Sequence, residues 1–177
     1  PRLGPAQRPR HVRTGEGGVV SPATSTPATS TSRSVSVSRV IDAPASRIFA
    51  VIDDPARHAE IDGSGTVRGA RHGGGTHLRL GDRFGMDMKL GVPYRMSSTV
   101  VEYEADRLLA WAHFGGHRWR YELEPVPGDE SRTTVTETFD WSTSKAPRFI
   151  ELAGYPHKNE PNMARTLERL AALVESA

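Results

Sequence analysis

Residues 81–100, GDRFGMDMKLGVPYRMSSTV, set Phe84, Met86 and Met88 in alternation with Gly85, Asp87 and Lys89. After a bend at Gly91 to Pro93 a second run places Tyr94, Met96, Ser98 and Val100 on one face. An apolar residue at every second position marks a strand with one oily and one polar face. Two such runs around a Gly/Pro bend are antiparallel neighbours.

The same period extends in both directions. Upstream, Ser34 to Ile41 carries Val35, Val37, Val40 and Ile41 in a β-branched run, and Thr66 to Arg71 is a weaker strand followed by the Gly73-Gly74-Gly75 loop. Downstream, Leu108 to Phe114 is apolar, Gly115-Gly116 turns the chain, and Trp119, Tyr121 and Leu123 share a face. Thr133 to Trp141 then sets Val135, Glu137, Phe139 and Trp141 against Thr134, Thr136, Thr138 and Asp140.

Two stretches break this period. Pro44 suits a first helical position, and Ile48, Phe49, Val51 and Ile52 fall on one side of a short helix. Asp54 before Pro55 starts a second helix that Gly63 and Gly65 stop near Ile61. From Ala146 the pattern is helical, with interruptions expected around Gly154 to Pro156 and at Pro161. It closes on Met163, Leu167, Leu170, Leu173 and Val174 at three- and four-residue spacing. The fold class is therefore α+β: a curved antiparallel sheet of six or seven strands wrapped around a long C-terminal helix, with two short helices after strand 1.

Composition narrows the function classes. Residues 1–33 are rich in Pro, Arg, Gly, Ser, Thr and Ala and cannot bury enough apolar surface to offset the entropy of ordering, so a disordered leader is expected there, with the domain at 34–177. That segment holds five arginines against one glutamate, so the whole-chain charge of +2 leaves about −2 for the remainder. A basic nucleic-acid face on the domain loses its support. The absence of cysteine excludes disulfides and thiolate metal sites, no stretch approaches the ~20 apolar residues of a membrane span, and no apolar signal core follows the early arginines. A cytoplasmic protein with no integral membrane contact is expected; the oligomeric state is not encoded in any feature of the chain.

The stretch Ser34-Val35-Ser36-Val37-Ser38-Arg39-Val40-Ile41-Asp42-Ala43-Pro44, the following Ile48-Phe49 and the turn Ile61-Asp62-Gly63-Ser64-Gly65 resemble actinobacterial members of the SRPBCC superfamily. Gly81-Asp82-Arg83-Phe84-Gly85-Met86, Trp119-Arg120-Tyr121-Glu122-Leu123 and Thr136-Glu137-Thr138-Phe139-Asp140-Trp141 are similar to the same group. The resemblance covers roughly Ser34 to Ala177. It implies the helix-grip fold of START lipid-transfer domains and the birch-pollen allergen, with a ligand cavity between sheet and helix. Relatives include polyketide cyclase/dehydrase-like proteins, lipid or hormone carriers and partners of larger machines, and a shared fold does not choose among them.

Strand parity supplies the candidate site. If each oily face points at the C-terminal helix, Phe84, Met86, Met88, Tyr94, Met96, Trp111, Trp119, Tyr121, Phe139 and Trp141 converge. Rings and thioethers suit an apolar guest, though they pack a solid core equally well. Glu137 shares the phase of Val135 and Phe139, so parity directs a carboxylate into the oily side, where desolvation would raise its pKa and fit it to orient a ligand or act as acid or base. The alternatives are a solvated strand end or a pair with an arginine. Ser98 and His113 are further polar groups in or near these phases, most simply satisfied within the core.

Other patterns carry less chemistry. His58 and Asp62, one helical turn apart, suit either an imidazole–carboxylate pair or a helix end. The seven histidines show no metal spacing, no Gly-x-Ser-x-Gly elbow follows a strand, and the glycine run at Gly73 does not lead from strand into helix, so no metal, cofactor or nucleotide is expected. Arg118 and Arg120 alternate with Glu122 and Glu124 as a solvated, cross-strand-paired row. Three readings stand: binding of a small apolar or amphipathic molecule as carrier or sensor, a polyketide cyclase/dehydratase-like enzyme acting on an enolisable ketone with Glu137 as its candidate catalytic group, and a protein-interaction module.

Overall fold

A computed structural model describes residues 33–176 except Gly74; the leader expected at 1–33 lies outside the described residues apart from Arg33. Seven antiparallel strands form one sheet: β1 Ser34–Ile41, β2 Val67–His72, β3 Arg83–Leu90, β4 Val92–Glu104, β5 Leu108–His113, β6 Arg118–Val126 and β7 Asp129–Asp140. Their order across the sheet is β1-β7-β6-β5-β4-β3-β2. Every neighbour after β2 is a hairpin partner, and β1 returns to close against β7.

The helices are α1 Ala45–Ile52, a 3₁₀ turn Pro55–Arg57 leading into α2 His58–Ile61, α3 Pro147–Leu152 and α4 Tyr155–Glu175. Asp54 caps the 3₁₀ turn by accepting from the Ala56 N–H at 2.9 Å. The break expected at Gly154 is real, with that residue at φ 69, but α4 continues through Pro161. Pro161 forfeits the hydrogen bond to the carbonyl four residues back, an interior cost of roughly 3 kcal/mol. Tertiary packing further along outweighs it: Met163, Leu167, Leu170 and Val174 are fully buried on the sheet side, each contributing about 1.5–3 kcal/mol.

Polar clamps fix α4 along its length. The Gly63 N–H donates to Thr166 Oγ1 at 3.0 Å and Arg165 Nε donates to the Gly63 carbonyl at 3.0 Å, while Arg169 reaches the Asp62 carbonyl. A Cβ at Gly63 would stand 2.1 Å from the Asn162 carbonyl oxygen, so the α2–β2 turn can lie against α4 only because this residue has no side chain. At the other end, the Asp42 N–H donates to Glu175 and Arg47 to the Val174 carbonyl. Arg33 and Trp141 Nε1 both donate to Glu151 at 3.0 Å, tying β7 to α3.

On the outer face, Arg120 pairs with Glu102 at 3.1 Å and with Glu122, and Arg118 with Glu102 at 3.5 Å. This is the charge row expected from the alternation. No helix among the described residues is long and apolar enough to cross a membrane.

Candidate functional site

Register places the inward residues opposite one another. Phe84 faces Ser98, Met86 faces Met96 and Met88 faces Tyr94 across β3–β4; Ser98 meets His113 and Val100 meets Trp111 across β4–β5. Trp111 meets Trp119, which in turn meets Phe139, and Tyr121 meets Glu137. Strand parity alone brings these groups to one face, because side chains alternate across a strand.

Burial divides them into an interior and a rim. Phe84, Met86, Ser98, Trp111, Tyr121, Glu137, Phe139 and Trp141 are buried. Met88, Met96, Trp119, His113 and His117 keep partial exposure, and Tyr94 is 36% exposed, so it is not an interior group. The helix therefore covers the β1, β7 side of the sheet and leaves the β3–β4 hairpin end less protected. Tyr94 stands within electrostatic reach of Tyr155, the first residue of α4, at that open end.

The interior is walled by rings. Trp111 stacks on His58 at 5.2 Å and on Tyr121 at 5.6 Å, with Phe84 edge-on at 5.7 Å. A second group joins Trp119 to Phe139 at 5.0 Å and Phe139 to Trp141 at 5.4 Å. These rings pack against one another, and they line neither of the two clefts at the β2–β4 end of the sheet. A cleft of about 300 Å³ is lined by Arg71, His72, Gly85, Arg95, Met96 and Ser97, and one of about 580 Å³ by Arg68, Asp87, Met88, Lys89, Pro93, Tyr94 and Arg95. Of the residues expected to hold a ligand, Met88, Tyr94 and Met96 line these clefts and the others line the interior wall.

Glu137 is the chemical exception in that wall. It is 3% exposed, no arginine pairs with it, and both alternatives of a solvated end and an ion pair are overturned. Burial pushes its pKa up to about 8, with the Asp62 charge adding to the effect and the hydrogen bond to Tyr121 opposing it. Among the described residues its Oε2 has no hydrogen-bond partner. Burial, and then the same carboxyl, drive the Tyr121 phenol well above its ordinary range. At neutral pH this burial favours the protonated carboxyl.

The histidines follow burial too. His58 does not pair with Asp62; its Nε2 lies 2.8 Å from the Ile52 carbonyl, and Asp62 instead accepts from the Ser64 hydroxyl and the Val67 N–H. Burial lowers the His58 pKa, and it lowers that of His113 to about 3, with the nearby His117 adding to the shift. His113 Nδ1 is 3.0 Å from Ser98 Oγ. His58 and His117 are the inward polar rings that sequence reasoning missed. His117 shares the parity of Trp119 and Tyr121, so the alternation held the signal; His58 arrives through a tertiary packing that no local pattern contains.

A sheet gripping a terminal helix, with an acid set in an aromatic inner face, defines a helix-grip domain. The chain belongs to the polyketide cyclase/dehydrase and lipid transport family, whose match covers residues 32–175. It is 41% identical over 145 residues to the Mycobacterium tuberculosis H37Rv protein Rv0088, itself uncharacterised; the match takes in 79% of this chain and 62% of that protein's length. Among solved structures it is similar to an Arthrobacter aurescens protein (TM-score 0.63, 19% identity, 82% of this chain and 88% of that one). It is also similar to the Polyketide_cyc-like protein Cgl2372 of Corynebacterium glutamicum (TM-score 0.53, 21% identity, 81% and 92% covered). At these identities the structural likeness establishes the fold.

Proposed function

We propose that this domain binds a small apolar or amphipathic molecule against the inner face of the sheet, admitted between the β3–β4 hairpin and the start of α4. The observation that carries this reading is Glu137: a buried, protonated carboxyl whose second oxygen is unpartnered within the protein. An unused donor in an oily wall costs free energy until a ligand acceptor meets it. A carbonyl or ether oxygen has the required chemistry. The half-buried Met88 and Met96 lie on the approach, and flexible thioethers yield to guests of different shape. The family description, which includes lipid transport, agrees with a guest of this class.

Nile red, an uncharged lipophilic ketone, tests the reading. Its fluorescence should rise saturably with the protein, and Glu137→Leu, which removes the donor, should weaken binding about tenfold, while Glu137→Gln, which keeps one, should not. No saturable rise with the native chain, or equal binding by all three proteins, would overturn it. Mass spectrometry of the native protein should also reveal a co-purifying guest.

The same carboxyl favours a second reading. An acid held near pKa 8 is poised for proton transfer around neutral pH, as an enzyme acting on an enolisable ketone needs. Catalysis would show as turnover lost in Glu137→Gln with affinity kept; binding of the ketone without conversion by the native chain excludes it.

A further inference from the structure

The outer face of the β2–β4 corner carries a second, separate arrangement. Both clefts reach this corner: Arg95 lines each of them, alongside the inward-phase Met96 in one and Met88 and Tyr94 in the other. Arg68, Arg71, Lys89 and Arg95 surround a single carboxylate, Asp87, and its only ion pair among these is with Arg71, loose at 3.9 Å. Among the described residues, the side chains of Arg68, Lys89 and Arg95 form no ion pair. By contrast, Arg118 and Arg120 on the same face are neutralised by Glu102 and Glu122. These four cations against Asp87 leave a surplus of three positive charges at this corner.

The backbone is shaped around it. Edge strand β2 pairs Val67 with Met88 and then Gly69 with Asp87, and later Ala70 with Met86 and then His72 with Gly85. One extra residue is inserted at each shift, and the two inserted residues are Arg68 and Arg71. Bulges re-aim side chains and break the edge ladder, and here both re-aim an arginine at a cleft. Gly85 opposite Ser97 leaves the cleft floor without a side chain, and the His72 ring covers it: a Cβ there would fall 2.3 Å from His72 Cε1.

We infer that the β2–β4 outer corner is a binding site for a phosphate ester, held by Arg68, Arg71, Lys89 and Arg95. Charge selects phosphate over a single carboxylate, and guanidinium geometry accommodates it. A surplus of three charges exceeds what a monoanion neutralises, whereas a phosphate monoester carries nearly two at neutral pH. Guanidinium forks also match phosphate oxygens in pairs. The clefts, at about 300 and 580 Å³, fit a small molecule or a single headgroup rather than a polymer track. Asp87, Lys89 and Arg95 occupy the strand phase opposite to that of Met88, Tyr94 and Glu137, and the arginine and Glu137 variants read phosphate and apolar binding separately.

Amide NMR of the full chain tests the site with two phosphate sources: sn-glycerol 3-phosphate in solution, and phosphatidylcholine vesicles with or without phosphatidic acid. Saturable shifts at β2–β4 with glycerol phosphate assign the site to a free ester. Line broadening at the same residues with phosphatidic acid vesicles alone assigns it to a lipid headgroup. Arg95→Gln and, separately, Arg68→Gln should weaken binding by about tenfold or more. Arg39→Gln, on the exposed opposite edge strand β1, should leave it unchanged. No response to either source, an equal response to acetate, or equal weakening by Arg39→Gln would overturn the assignment.

Discussion

Replacing Glu137 by glutamine should change the pH dependence of stability more than stability itself. The carboxyl moves from an ordinary 4.5 to about 8 on folding, chiefly by desolvation. Between these values the folded chain holds a proton that the unfolded chain has released, so stability falls as pH rises through the window and is level outside it. At ~1.4 kcal/mol per unit the full loss is about 5 kcal/mol, an upper bound for a group whose surroundings relax. Three inward histidines run the other way: the buried His58 and the half-buried His113 and His117 are harder to protonate when folded, so they add stability as pH rises toward 6.5. Above 6.5 their contribution nears completion, and from there to about 8 Glu137 accounts for about 2 kcal/mol of decline, with His77, whose pKa Asp53 raises, acting in the same direction. Urea unfolding followed by tryptophan fluorescence, at half-unit steps from about pH 5 to 8.5, gives the comparison directly, since the histidines are common to both proteins. The Glu137→Gln chain should gain on the native one steadily up to about pH 8 and then hold its lead. A pH-independent difference between the two would refute a neutral buried acid at this position.

Gly63→Ala should destabilise the domain by about 2 kcal/mol or more, because the new methyl would meet backbone of α4 that cannot retreat; thermal unfolding reads it, and an unchanged midpoint contradicts the close approach. Leu170→Ala, at a fully buried position of α4, should cost about 2–5 kcal/mol in urea unfolding, and a loss below 1 kcal/mol would mean that α4 does not pack here. His77 donates to the buried Asp53 at 2.8 Å, which raises its pKa, so its NMR titration should lie above the usual midpoint and return to it in Asp53→Asn. In the same spectra His113 should stay neutral down to about pH 3, and a midpoint near 6.5 would contradict its burial.

The sheet was legible because period-two alternation is local. Phe84, Met86 and Met88 announce their strand and their face without reference to any other residue, and Glu137 is placed inward by the same parity. The continuity of α4 through Pro161 was not legible: proline chemistry argues for a break there, and only burial of Met163 to Val174 against the sheet overrides it. The site was legible in composition but not in shape. Parity names the residues on a face; it does not say how far along the sheet α4 extends, which is why Tyr94 emerges at the rim and Trp111 is closed in. Nor does any pattern foretell the bulges at Arg68 and Arg71, since a bulge is a register shift between two strands and belongs to neither alone.

The position of Glu137 argues for a role that the fold does not supply. On the same face of β7 its neighbours are Val135 and Phe139, and across the ladder it faces Val37 and Tyr121. An apolar residue there would complete the wall, whereas the carboxyl leaves one oxygen unsatisfied at a cost of about 1–3 kcal/mol. Its hydrogen bond to Tyr121 does not recover this, because the same burial that raises the acid's pKa raises the phenol's and leaves both groups neutral. Neutrality is the useful consequence: two uncharged O–H groups side by side in a ring-lined wall can hold an oxygen acceptor without the desolvation cost of an ion. The charged groups are gathered instead on the outer face, where Arg68, Lys89 and Arg95 remain hydrated. The sheet thus separates a neutral, oily face from a cationic one, and period-two alternation along β3 and β4 builds both from the same strands.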